Sequence, residues 1–158
     1  MLDRVLDFLA GRTPPTVADA DELAIAVTAL LIEAARMDDH FEAAERATIE
    51  RVLAERFSLA PAAVRTLVAD AEQAVRDSTQ LFPFTQAVCN HLSLDERVQI
   101  IEMLWQVAYA DGTLDPEEDM LLRRIAGLIF VPDKERGFAR KRALEKLAAA
   151  SSSTDQTD

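Results

Sequence analysis

The sequence predicts an all-α fold, a single-domain helical bundle of about seven helices. Three observations predict it. Ala, Leu, Glu and Arg dominate, only four Gly occur and β-branched runs are scarce, a composition that favours helix. Apolar residues recur at helical spacing along most of the chain. Leu31–Glu45 also aligns without a gap on Leu104–Glu118, 73 residues further on, and an internal repeat of this kind governs architecture. With 158 residues, 49% of them apolar, the chain can bury a real core, and overall disorder is excluded.

Leu2, Val5, Leu6 and Leu9 predict a short amphipathic helix at the N-terminus, which Gly11 to Pro15 ends as a linker. A long helix is predicted from about Asp21 to Met37. Leu23, Ile25, Val27, Leu30, Leu31 and Ala34 cover most of its circumference, which places it in the centre of a bundle. The next helix spans Ala43 to Phe57, with Ile49, Val52 and Leu53 on one face. Pro61 suits the first position of a third helix, striped by Val64, Leu67, Val68, Ala71 and Val75 and ending near Asp77. A shorter helix fits Pro83 to Leu92.

Ser93-Leu94-Asp95-Glu96 then reads as a capping box and opens a helix from Leu94 to Ala110. Val98, Ile100, Ile101, Leu104, Trp105 and Val107 again wrap most of its surface. Asp115-Pro116-Glu117-Glu118 opens the next helix, with Leu121, Leu122, Ile125 and Ile129 inward, and Val131-Pro132 breaks it. The last helix is expected over Asp133 to Ala149. Two helical hairpins, residues 21–57 and 94–129, are therefore expected to be related by a pseudo-two-fold axis, with their buried first helices packed together. The chain divides into an N-terminal helix and linker (1–19), the helical domain (20–149) and a polar tail expected to be disordered (150–158).

Charge narrows the function classes. With 28 acids against 17 bases the net charge is −11, which argues against nucleic-acid binding and suits a protein that attracts cations. A single Cys89, flanked by Ala87, Val88 and Leu92, excludes an intramolecular disulfide and a multi-cysteine zinc site, and reads as a core thiol. Asp3 and Asp7 interrupt any signal-peptide core, and the run Leu23 to Ile32 is too short to span a bilayer. The expected location is the cytoplasm.

The repeat duplicates an acidic constellation. Asp38 and Asp111 fall where the two central helices end, and Glu45 and Glu118 fall in the first turn of the helices that follow. A bend between helices thus directs two carboxylates and the turn's carbonyls at one space, a donor set suited to Ca²⁺ or Mg²⁺. Glu42 and Asp115 each offer a further oxygen. Capping is the competing explanation: Glu42 and Asp115 sit at N-cap positions, with Glu45 and Glu118 three residues later. It does not account for Asp38 and Asp111, acids at the C-terminal end of a helix. The spacing is not that of an EF-hand, whose glutamate lies at loop position 12.

Ala110-Asp111-Gly112-Thr113-Leu114-Asp115-Pro116-Glu117-Glu118, preceded by a Trp-containing buried helix and echoed by Asp38 to Glu45, resembles the TerB family of tellurite-resistance-associated proteins. The resemblance covers roughly residues 21–147. It implies an all-helical fold with acids proposed to bind metal, at positions matching Asp38, Glu45, Asp111 and Glu118. It also implies a link to stress-response complexes at the inner membrane, and no detoxifying reaction. The first repeat departs from the motif, with Asp39 where the second has Gly112.

The resulting expectation is a cytoplasmic, non-catalytic module that binds a divalent cation weakly and serves as a sensing or interaction domain in a stress response. Its partner is expected to be a protein, within a membrane-associated complex by the resemblance; the sequence is silent on oligomeric state. One rival is a purely structural or adaptor domain in which every acid is a cap. Another is a metal-dependent hydrolase using Asp111, Glu118 and His40, which requires an open cleft. No Gly-rich phosphate loop and no zinc-protease motif is present. The last helix carries six basic residues against three acids, which suits docking on anionic lipid or an acidic partner, a solvated face, or pairing with the acidic body of its own chain.

Overall fold

The computed structural model describes residues 17–36, 43–110 and 116–154, with side chains described for 22–36, 43–110 and 116–149. Among these residues every regular element is an α-helix. In chain order they are α1 (Val17–Ala35), α2 (Ala43–Phe57), α3 (Pro61–Asp77), α4 (Phe82–His91), α5 (Leu94–Ala108), α6 (Pro116–Leu128) and α7 (Asp133–Thr154).

The two helices predicted to be central are central. From Leu23 to Ala35, every residue of α1 is buried except Ile25 and Glu33, which are half-buried. Thr28 is tolerated there because its Oγ1 donates to the Ala24 carbonyl at 2.8 Å. Residues Ile100 to Ala108 of α5 are likewise buried. A helix with apolar groups on all sides is stable only when neighbours cover each side. α3 and α4 pack against α1, α7 packs against α5, and α1 and α5 touch one another. α2 meets α1, α3 and α5, while α6 meets α1, α4 and α5.

Local signals explain most boundaries. Pro61 stands at the start of α3, after an extended Ala60. Ser93 caps α5: its Oγ accepts from Glu96 N–H at 3.4 Å, and its own N–H donates to Glu96 Oε1 at 3.1 Å. The end of α6 is a Schellman turn. Val131 N–H donates to the Ala126 carbonyl at 2.9 Å and Phe130 N–H to Gly127 at 3.2 Å, with Phe130 in the left-handed region at φ 56°. A bulky side chain there costs about 1 kcal/mol or more. Buried Val131 packs over the turn, and Arg97 Nη1 reaches across from α5 to the Ile129 carbonyl at 2.9 Å.

Two expectations shift. The first central helix begins at Val17, within the segment 1–19 set apart from the domain and ahead of the expected Asp21, and stops at Ala35 rather than Met37. α7 continues through Thr154, so the start of the segment assigned to a disordered tail is helical. In the first turn of α4, Phe84 is buried and Phe82 exposed. The predicted helix at Leu2–Leu9 and the last four residues lie outside the described residues.

The two halves correspond further than the acidic motif. In each, two helices are followed by a left-handed residue (Ser58, Phe130), a buried apolar residue (Leu59, Val131) and a third helix. In each, that third helix packs on the first, α3 on α1 and α7 on α5.

Candidate metal centre

Glu45 is the third residue of α2 and Glu118 the third residue of α6. Each is only 3% exposed. Carboxylates are almost never removed from water this completely unless they are partnered, and both are engaged by neighbouring groups. The free N–H groups and positive dipole end of each helix favour an anion at that place. As hard oxygen donors, the two carboxylates fit a divalent cation such as Ca²⁺ or Mg²⁺. The remaining candidates, Asp38 and Asp111 with His40, Glu42 and Asp115, belong to residues 37–42 and 111–115, outside the described residues. Among the described residues there is no group of three or more His, Cys, Asp or Glu disposed to hold a metal.

The residues leading into the second acidic segment form a cluster that sequence reasoning did not anticipate. Trp105 and Tyr109, one helical turn apart on α5, stack with ring centroids 5.7 Å apart. Arg140 of α7 lies over both rings, 5.4 Å from the Trp105 centroid, and its Nε donates to the Tyr109 hydroxyl at 3.0 Å. The indole Nε1 of Trp105 is buried without a hydrogen-bond partner among the described residues.

A second unexpected feature is polar and internal. Glu102, 7% exposed, sits inside the apolar run of α5 and faces α7. Its carboxylate accepts from Lys146 Nζ at 2.5 Å and from Arg142 Nε at 3.1 Å. Burial works to raise the pKa of Glu102, but hydrogen bonds and charge from Lys146 and Arg142 outweigh it and hold the carboxyl below its ordinary value. A cavity of about 110 Å³ lies beside it, lined by Glu55, Arg56, Gln99, Gln106 and Lys146 among others. Burial lowers the Arg56 pKa, opposed by the charges of Glu102 and Glu96. The signal in the sequence was an acid, Glu102, within an otherwise all-round apolar helix.

These contacts account for most of the basic charge of α7. Arg140, Arg142 and Lys146 engage α5, and Arg136 pairs with Asp133 in its own first turn at 3.2 Å. The helix therefore pairs with its own domain. The lone Cys89 is half-buried and its thiol donates to the Leu128 carbonyl at 3.6 Å, while His91 stands half-buried in the last turn of α4. No helix among the described residues is long and apolar enough to cross a membrane.

Comparison with known proteins agrees with this architecture. The family model described as tellurite resistance protein TerB matches residues 24–141, from the buried run of α1 into α7. No curated protein and no solved structure matched the chain. The match spans well over half the sequence and every helix of the bundle in whole or part, so the chain belongs to the TerB family.

Proposed function

We propose that this domain is a non-catalytic TerB module that binds a divalent cation weakly through Asp38, Glu45, Asp111 and Glu118, and acts as a sensing or interaction domain in a stress response in the cytoplasm. The observation that carries the reading is the burial of Glu45 and Glu118 at the same step of two corresponding helices, each 3% exposed. Two solvated caps would not need to be withdrawn from water twice over. The duplicated acids, the net charge of −11 and the pseudo-two-fold reading of the two halves point the same way. The family module is in general a non-enzymatic helical domain.

A second reading has its own support. Position three of a helix is where a capping-box glutamate stands, and Ser93 with Glu96 shows this chain building such a box. In that reading the domain is a structural adaptor and the acids hold helix ends.

Calorimetry of the wild type, Asp111→Asn and Glu118→Gln with Ca²⁺, Mg²⁺ and Mn²⁺ at fixed ionic strength separates the two. A ligand of the native state alone raises stability by RT ln(1 + [L]/Kd). Metal binding predicts that millimolar cation raises the melting temperature of the wild type and that both variants lose the effect. An equal effect in all three proteins is screening of the chain's self-repulsion and removes the ligand assignment. No effect in any of them supports the capping role.

A further inference from the structure

We propose that α7 is an exchangeable helix: the face of α5 beneath it accepts the α7 of a second copy of the chain, giving a domain-swapped dimer. Three observations carry this. The first is that among the described residues α7 has one extensive neighbour, α5, whereas its counterpart α3 packs on both α1 and α2. An element held by a single partner can leave without unpacking the rest of the core.

The second is the chemistry of the contact. Among the described side chains of α7 only Ala139 and Ala143 are buried, while α3 buries Val64, Leu67, Val68, Ala71 and Val75. α7 thus contributes few buried apolar side chains of its own to the contact. Its attachment relies on charge: Lys146 and Arg142 on Glu102, and Arg140 over Trp105. These partners lie on one α5 face and one α7 face, so another copy of α7 satisfies them equally well. They also exclude most other occupants, because an empty face would leave the Glu102 carboxylate buried and uncompensated.

The third is the connection. α6 and α7 are joined through Phe130-Val131-Pro132, with Phe130 in the left-handed region and 72% exposed. A short connection under strain is the kind of hinge that domain swapping relieves. Opening it frees Phe130 from that conformation, and little packing of its ring is lost.

Reciprocal charge reversal tests the proposal. Glu102→Lys alone sets like charges across the α5–α7 contact, and so does Arg142→Glu with Lys146→Glu. When the two proteins are mixed, exchange places each α5 face against an α7 of opposite charge at both contacts. The expected result in native mass spectrometry is a 1:1 mixed dimer of twice the 17.5 kDa chain mass, absent from either protein alone. The chain carrying all three substitutions should be a monomer, its contact restored within one copy. A mixture that stays monomeric with both proteins folded overturns the proposal. Dimers formed equally by each protein alone also overturn it, because the contact then lies elsewhere. If either protein fails to fold, wild-type chain is refolded at high concentration from a mixture of ¹⁵N-labelled and unlabelled protein. Dimers of intermediate mass are then expected in ordinary buffer, lost in 1 M salt during refolding, and monomer alone overturns exchange.

Discussion

Lys146 on α7 places its ammonium 2.5 Å from the carboxylate of Glu102, a residue 7% exposed within the apolar wrap of α5. With Arg142, the pair ties the last helix to α5.

Glu102→Gln should destabilise the fold by about 1–2 kcal/mol, the range for a charge-assisted hydrogen bond whose donors can still turn to water. Arg142 and Lys146 are 44% and 59% exposed at their side chains, which keeps the cost below that of a fully enclosed pair. Urea denaturation measures it, and a slope unchanged from wild type would show that compactness is preserved.

The same pair sets a pH dependence. The Glu102 carboxyl in the folded chain lies below its ordinary value, so the unfolded state takes up the proton first as pH falls. Its contribution is complete above about pH 4.3, the ordinary glutamate value, and is lost as pH drops through the lower folded value. Wild type should therefore lose more stability than Glu102→Gln on acidification below about pH 4. Parallel melting curves for the two proteins through that window would count against the pairing.

Trp105 is 2% exposed, and its indole Nε1 has no hydrogen-bond partner among the described residues. Trp105→Phe removes no hydrogen bond and should cost less than about 1.5 kcal/mol. Trp105→Ala empties the site beneath Arg140 and should cost about 3–5 kcal/mol. Equal losses for the two substitutions would mean that the indole nitrogen matters after all.

Gly137 lies inside α7, and a Cβ built there meets nothing within 4 Å. Gly137→Ala should stabilise the protein by about 0.5–1 kcal/mol, because alanine gives up less backbone entropy in a helix. Thermal unfolding reports it as a rise in melting temperature.

Leu31 is fully buried on α1, one of the two central helices. Leu31→Ala should cost about 2–5 kcal/mol by chemical denaturation. A smaller loss would mean that the surrounding helices collapse to refill the space.

Legibility in the sequence followed the range of each interaction. The starts of α2, α3, α5 and α7 fell where Ala43, Pro61, Ser93 and Asp133 place them, and the ends of α2 and α3 where Phe57 and Asp77 do. Caps, prolines and apolar periodicity act within a few residues, so a linear reading captures them. The two acids described at the candidate centre, Glu45 and Glu118, were visible as a repeat, but their near-complete burial was not.

The sequence by itself determined an all-helical chain, its two central helices and a TerB-type acidic motif stated twice, because each rests on short-range pattern. Only the tertiary structure decided where charge goes. Glu102 meets Arg142 from 40 residues away, and Arg140 reaches Tyr109 from 31. It likewise decided that α7 rests on two alanines and a set of ion pairs, and that Phe130 takes a left-handed turn with its ring in solvent. A helix's periodicity states which faces are apolar, while the side chain opposite each face depends on how helices cross, and that is set by packing of the whole bundle.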